Sequence, residues 1–130
     1  MNDENTKKLL EVAPHVYGNS FHFECGDGWF DLLLDTSIKL ENQIKQFPPD
    51  VRQDIVASQV KEKYGTLRFY ISYYTEELDE IIDAAEKKSA CVCETCGKQG
   101  TIRGHSWLYC ACDEHTLDVD KKDPSKCVTS

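Results

Sequence analysis

The sequence has no long hydrophobic run. Its longest aliphatic stretch, Leu32-Leu33-Leu34, is flanked by Asp31 and Asp35, far short of the roughly 20 apolar residues a bilayer-spanning helix needs. Positive charge is also scarce: 15 Lys and Arg stand against 23 Asp and Glu, a formal net charge of −8. Nonspecific affinity for duplex DNA comes from many cations facing phosphates, so this balance argues against a general DNA binder. The opening Met1-Asn2-Asp3-Glu4-Asn5 lacks the basic and apolar stretches of an export signal. No Ser-His-Asp order, phosphate-cradling glycine loop or pair of catalytic carboxylates stands out, and His15, His22 and His105 are isolated. With no catalytic constellation, a non-enzymatic role is expected.

What is present fits one domain spanning residues 1–130, with 40% hydrophobic and 29% charged residues. Residues 1–28 are weakly patterned apart from a short strand expected at Phe21-His22-Phe23. Cys25-Gly26-Asp27-Gly28 then reads as a turn in which Asp27 can cap the next element. A helix is expected from Trp29 to Phe47. Phe30, Leu34 and Ile38 form one line of its apolar face, with Leu33, Leu40, Ile44 and Phe47 beside them, until Pro48-Pro49 stops it. Residues 55–74 change to a two-residue period and predict a β-hairpin folded at Tyr64-Gly65. That register sets Val60 opposite Phe69 and Ser58 opposite Ile71, with Lys61 facing Arg68, Gln59 facing Tyr70 and Lys63 facing Thr66 on the other side. A second helix opens at Thr75, carries Glu76, Glu77 and Asp79 in its first turn and Lys87-Lys88 in its last, and buries Leu78, Ile81, Ile82 and Ala85. From Leu117 to Ser130 the tail is charged and without period, and is expected to be loose. The predicted class is α+β: two amphipathic helices on a small antiparallel sheet, followed by a zinc-hook unit over residues 91–115. Trp29, Phe30, Leu33, Leu34, Ile38, Val60, Phe69, Ile71 and Ile82 are its expected core.

Seven cysteines are the strongest compositional signal, and five fall within residues 91–112. An odd number, without an export pattern, argues for reduced thiols and a cytoplasmic setting rather than a disulfide framework. Cys93-x2-Cys96, a 15-residue gap and Cys112-x2-His115 make two short chelating hooks joined by a loop. Tetrahedral zinc needs this pattern, since each hook supplies two ligands and the loop closes the site. Gly97 permits a tight turn that lets backbone amides face the sulfurs. Cys91 and Cys110 each lie two positions from a favoured ligand, and alternate residues of an extended chain point to opposite faces. Only one of each pair can easily serve. Cys93 and Cys112 give the better spacing, Cys110 is the leading substitute, and Cys25 and Cys127 read as bland thiols. Four ligands leave no position for water, so the expected zinc is structural. The His-x-Glu with Pro-Cys-x-x-Cys signature of zinc deaminases is absent.

Taken in order, Gly26-Asp27-Gly28-Trp29-Phe30-Asp31-Leu32-Leu33, the hairpin Gln59-Val60-Lys61-Glu62-Lys63-Tyr64-Gly65-Thr66-Leu67-Arg68-Phe69-Tyr70, Cys93-Glu94-Thr95-Cys96-Gly97 and Cys112-Asp113-Glu114-His115 resemble a family of small uncharacterised bacteriophage and bacterial proteins. The resemblance covers roughly Cys25 to His115. It implies a viral or mobile-element accessory protein, acting in the host cytoplasm if phage-encoded, and brings no established activity. Cys110 departs from the pattern by adding a thiol before the last hook.

The hairpin offers one derivable binding surface. Lys61 and Arg68, directly opposite, should repel by roughly 0.2–1 kcal/mol, which an anion between them would relieve. Gln59, Lys63, Tyr64 and Tyr70 would complete a pocket for an anionic, nucleotide-like small molecule. Alternatively Glu76, Glu77, Asp79 or Glu80 of the second helix neutralises the pair. Two partner classes stay open: a captured phosphate-bearing host signal, blunting host defence, or a basic host protein engaged by the acidic helices.

Overall fold

Leu33, Leu40 and Ile44 recur at helical spacing and are fully buried, and they place α3 (Phe30–Ile44) at the centre of the fold. The structure, a computed structural model, describes residues 1–121. Around α3 lie α1 (Asp3–Val12), α2 (Pro14–Tyr17) and α5 (Glu76–Ser89), with a sheet of β1 (Phe23–Glu24), β2 (Ala57–Lys63) and β3 (Thr66–Ile71) in that spatial order. Short α4 (Pro49–Arg52) follows α3. The C-terminal part carries the ribbon β4 (Thr101–Arg103) and β5 (Tyr109–Ala111), then α6 (Asp118–Lys121). The fold is α+β.

The second helix is built as its sequence dictates. Thr75 accepts the Leu78 N–H at the N-cap, acids occupy the first turn and lysines the last, each complementing the helix dipole. Leu78, Ile82 and Ala85 are buried; Ile81 is partly buried against the same core. α5 also closes the free edge of β3: Ser89 Oγ accepts the Leu67 N–H at 2.8 Å and Glu86 accepts the Phe69 N–H at 2.9 Å. An edge strand so covered cannot recruit another chain.

The hairpin register sets Val60 opposite Phe69, Lys61 opposite Arg68, Gln59 opposite Tyr70 and Lys63 opposite Thr66. Ser58 does not face Ile71. An irregularity between Ala57 and Gln59 pairs Ile71 with Ala57 instead, burying a methyl and turning the Ser58 hydroxyl outward, as a β-bulge allows. The sheet is not purely antiparallel, because β1 runs parallel to β2, with Phe23 beside Val60 and Glu24 beside Lys61. A parallel pair needs a long crossover, and α3 with α4 supplies it.

The N-terminal region holds more structure than its patterning suggested. Asn2 caps α1 by accepting the Asn5 N–H, and Leu9, Ala13, Val16 and Tyr17 join the core. These helices alter which face of α3 is buried. Tyr17 OH and Ser37 Oγ lie 2.6 Å apart. Glu41, 2% exposed, accepts the His15 N–H at 2.9 Å and also pairs with the His15 ring. Ser37 and Glu41 therefore face inward. Ile38, expected in the core, is 42% exposed, and Phe30 and Leu34 are only partly buried. Trp29, Leu33, Val60, Phe69, Ile71 and Ile82 are buried.

The helix limits also differ from expectation. Asp27–Trp29 forms a 3-10 turn before α3, and Pro48-Pro49 both follows α3 and opens α4, proline being well suited to a first helical position. Asp27 does not cap α3. Its carboxylate accepts the Asn2 N–H and the Asn5 amide, which hold its pKa below the usual carboxylate value. The tail begins as α6, with the Asp120 carboxylate hydrogen-bonded by Tyr109 OH. The rest of the expected loose segment, 122–130, lies outside the described residues, as does Cys127.

Candidate metal centre

The 15 residues between the two hooks fold back as the β4–β5 ribbon, with Thr101 opposite Ala111 and Arg103 opposite Tyr109. That reversal returns the chain from Cys96 to Cys112. Around the first hook, Cys93 N–H donates to Lys98 O and Gly97 N–H to Cys93 O, with Gly97 at φ 83°, a left-handed position that favours glycine. The Lys98 N–H faces the Cys96 sulfur. The second hook turns through Asp113–His115, where His115 N–H donates to Cys112 O. Arg103 braces it, its Nε donating to Ala111 O at 3.1 Å and its guanidinium to Asp113 at 2.9 Å.

These turns bring one ligand atom from each of Cys93, Cys96, Cys112 and His115 within 4.8 Å of one another. Cys96 and Cys112 sulfurs are 3.6 Å apart, and His115 Nδ1 lies 3.1 Å from Cys112 Sγ and 3.7 Å from Cys93 Sγ. A tetrahedral ion with metal–sulfur bonds of about 2.3 Å has sulfur–sulfur edges of about 3.8 Å, so the cluster could hold a metal ion with little movement. Cys110 belongs elsewhere: buried, it donates to Ala90 O, and desolvation pushes its thiol up to about 11. Cys91 is exposed.

The thiols of the cluster are unequal. Desolvation pushes the Cys112 thiol up, but hydrogen bonds from the His115 ring and backbone, with Cys96 and Cys93, outweigh it and bring it down to about 6. The Lys98 N–H favours the Cys96 thiolate, yet desolvation and the neighbouring Cys112 and Cys93 sulfurs leave that thiol raised. Crowded sulfurs cannot all ionise together without a cation. A bound metal supplies that charge and releases the remaining protons.

The first hook is seated on the N-terminal loop. Gly28 N–H donates to Glu94 O at 2.7 Å, Gly26 N–H to the Glu94 carboxylate at 2.8 Å, and Trp29 Nε1 to Val92 O at 2.8 Å. A Cβ on Gly28 would lie 2.2 Å from Cys93 O, and one on Gly26 2.5 Å from Glu94 O, so the contact requires glycine at both places. Desolvation raises the Glu94 carboxyl despite its bond from Gly26, and burial pushes the nearby Cys25 thiol up to about 12. Gly-Asp-Gly was legible as a turn. Its role as a seat for the cysteine hook was not, because that partner lies more than 60 residues away.

The hairpin residues share the outer face of the sheet, opposite Val60 and Phe69. Gln59, Lys61, Arg68 and Tyr70 come together there, with Lys63 at the tip, its Nζ 5.4 Å from the centre of the Tyr64 ring. Glu24 of β1 is the neighbouring acid, and Gln59 donates to it at 3.0 Å. Glu76, Glu77, Asp79 and Glu80 form no ion pair with the two cations: among the described residues, neither Lys61 nor Arg68 has one within 4.0 Å. Arg68 Nε is shielded from solvent without a hydrogen-bond partner. No described helix is long and apolar enough to cross a membrane. Comparison of the chain with protein-family models, with curated proteins and with solved structures finds no match.

Proposed function

We propose that the chain is a small, non-enzymatic accessory protein of bacteriophage type that binds an anionic, nucleotide-like molecule on the outer face of its hairpin. In this reading it acts in the host cytoplasm and counters host defence by capturing a phosphate-bearing signal. The observation that carries the reading is the cationic pair. Lys61 and Arg68 stand directly opposite, without an ion-paired carboxylate among the described residues, and Arg68 keeps a shielded Nε with no acceptor. A phosphate between the Lys61 ammonium and the Arg68 guanidinium relieves the repulsion. Gln59, Lys63, Tyr64 and Tyr70 add amide, ammonium and ring contacts around it.

The metal of the Cys93, Cys96, Cys112 and His115 cluster is zinc in this reading. Three thiolates and an imidazole suit its preference for soft and borderline ligands, and four protein ligands fill its tetrahedron. The ion is structural. It fixes the hook that sits on Gly26 and Gly28 and so ties the ribbon to the domain that carries the hairpin.

A thermal-shift screen of phosphate-bearing compounds against the zinc-loaded chain tests the function. Nucleotides should raise the melting temperature, and Lys61→Ala and Arg68→Ala should each reduce that rise. If no phosphate-bearing compound shifts the transition, the anion reading fails in favour of an acidic module that docks on a basic host protein.

A further inference from the structure

The hairpin tip spends conformational energy on an exposed ring. Tyr64 sits at φ 55° and Gly65 at φ 85°, the pair of left-handed residues that a two-residue type I′ turn requires. Asn, Asp or Gly normally fills the first of these places, because a bulky side chain there is strained. Burial does not offset the strain: Tyr64 is 64% exposed. Held strain at an exposed aromatic points to a use for the ring.

A second exposed aromatic faces the same space. Trp107, 75% exposed, lies in the loop between β4 and β5. With Tyr64, Glu62, Lys63, Ser106 and Leu108 it lines a cleft of about 230 Å³. The cleft walls are fixed, since Gly65 approaches the ribbon so closely that a Cβ there would meet Ile102 Cδ1 at 2.8 Å and the Tyr109 backbone at 3.3 Å. A cleft of this size falls below the roughly 300–1,000 Å³ that encloses a whole drug-sized ligand. It suits one flat ring. Lys63 belongs both to this cleft and, through its register with Thr66, to the face that carries Lys61 and Arg68.

We propose that the Tyr64–Trp107 cleft is a stacking subsite for a single nucleobase, the cations of the adjoining sheet face taking the phosphate of the same molecule. This rests on the reading above and deepens it, giving the base of the nucleotide-like ligand a site of its own. Aromatic faces stack on any base; the Glu62 carboxylate beside them accepts the Gly65 N–H at 2.7 Å and so holds the turn that presents Tyr64. The net charge of −8 disfavours a long nucleic acid strand, whose binding depends on neutralising many phosphates, and so favours a single nucleotide.

The two tryptophans make the test direct. Trp29 is fully buried and its Nε1 is bonded to Val92 O, so a ligand-dependent change in emission reports Trp107. Adenosine 5′-monophosphate and ribose 5-phosphate are titrated against the zinc-loaded chain by fluorescence and calorimetry. The nucleotide should quench Trp107 and bind about tenfold more tightly than the sugar phosphate, the scale of one base–ring stack. Trp107→Ala should abolish that preference while leaving ribose 5-phosphate binding unchanged, whereas Arg68→Ala should weaken both ligands. Tyr64→Asn provides a second variant whose folding is secure, because asparagine suits the left-handed turn; it should melt higher than the parent and still lose preference for the base. Equal affinity for the two probes overturns the stacking subsite and leaves the phosphate reading standing. Equal weakening of both probes by Trp107→Ala also overturns it, marking that side chain as a support of the fold. If neither probe binds, both readings fall.

Discussion

The two ends of this chain are stabilised by different physics. Around α3 and the three-stranded sheet, one continuous cluster joins Leu9, Val16, Phe23, Trp29, Leu33, Val60, Phe69 and Leu78 with their neighbours. Around the ribbon, the separate buried cluster is Cys93, Ala111 and Cys112, with Tyr109 packed beside it. Burying a large apolar side chain contributes roughly 1.5–3 kcal/mol, and the second region has few to bury. Its order comes from backbone turns, the Arg103 brace and four convergent side chains that could hold a metal ion. In a region so poor in apolar contacts an ion bound by that cluster would act as a cross-link, as in small metal-bound units.

Removing the metal should break this comparison most sharply. Cys96→Ser, or chelation of the parent, should unfold the ribbon, with a loss of several kcal/mol, since structural zinc in small peptides contributes roughly 10–16 kcal/mol. Metal analysis of the reduced parent should find about one zinc per chain, and amide exchange should locate the lost protection in residues 91–121 first. Affinity should also fall with pH. Protons compete with metal for each ligand, so binding should weaken as pH falls through the alkaline range of the raised Cys96 thiol, and more steeply below about 6, where the Cys112 thiol is protonated as well. Protection of the ribbon that persists without metal would show that its backbone turns suffice.

The seat between the regions sharpens the contrast. Gly28→Ala places a Cβ 2.2 Å from Cys93 O, so the loop and the hook must separate. The overpacking should cost about 1–3 kcal/mol and should weaken metal binding as well, because the displaced turn carries Cys93. Melting curves with and without chelator separate the two effects. A variant that loses stability equally in both conditions would show that the seat serves the core alone.

How much of this was legible in the sequence follows the range of each interaction. The hairpin pairs and the Thr75 cap are local, and their residue types sit next to one another in the chain. The hook spacing is likewise a local pattern, repeated once. Ile38 was misplaced because the burial of α3 is set by α1 and α2. The contacts of α2 to Ser37 and Glu41 are polar, so a reading based on apolar periodicity passes over them. The bulge at Ala57 escaped because it inverts the alternation before Gln59, burying Ala57 and leaving Val56 40% exposed, while no residue type there marks the shift. Trp107 carried no periodic signal at all, and only the approach of Gly65 to the ribbon gives it a neighbour across the cleft.

The smallest effect concerns the cationic pair, and its sign is what matters. Arg68→Met removes the guanidinium but keeps most of the apolar stem that covers the sheet. It ends the repulsion with Lys61, worth roughly 0.2–1 kcal/mol, and removes a shielded Nε that has no acceptor. The unliganded protein should therefore melt about 1–4 °C higher, given the usual relation between free energy and midpoint for a chain of this size. Lys61→Met ends the same repulsion but also removes the cation beside Glu24, so its gain should be smaller or absent. If α5 carboxylates neutralised the pair instead, both changes would strand acids and lower stability by roughly 0–1 kcal/mol for exposed partners, and the midpoint with it. A rise for Arg68→Met that exceeds the change for Lys61→Met is the pattern expected of a face kept short of anions. A fall in both variants would mean that the cations already have partners in the free protein, and that this part of the sheet is held together in the same way as the rest.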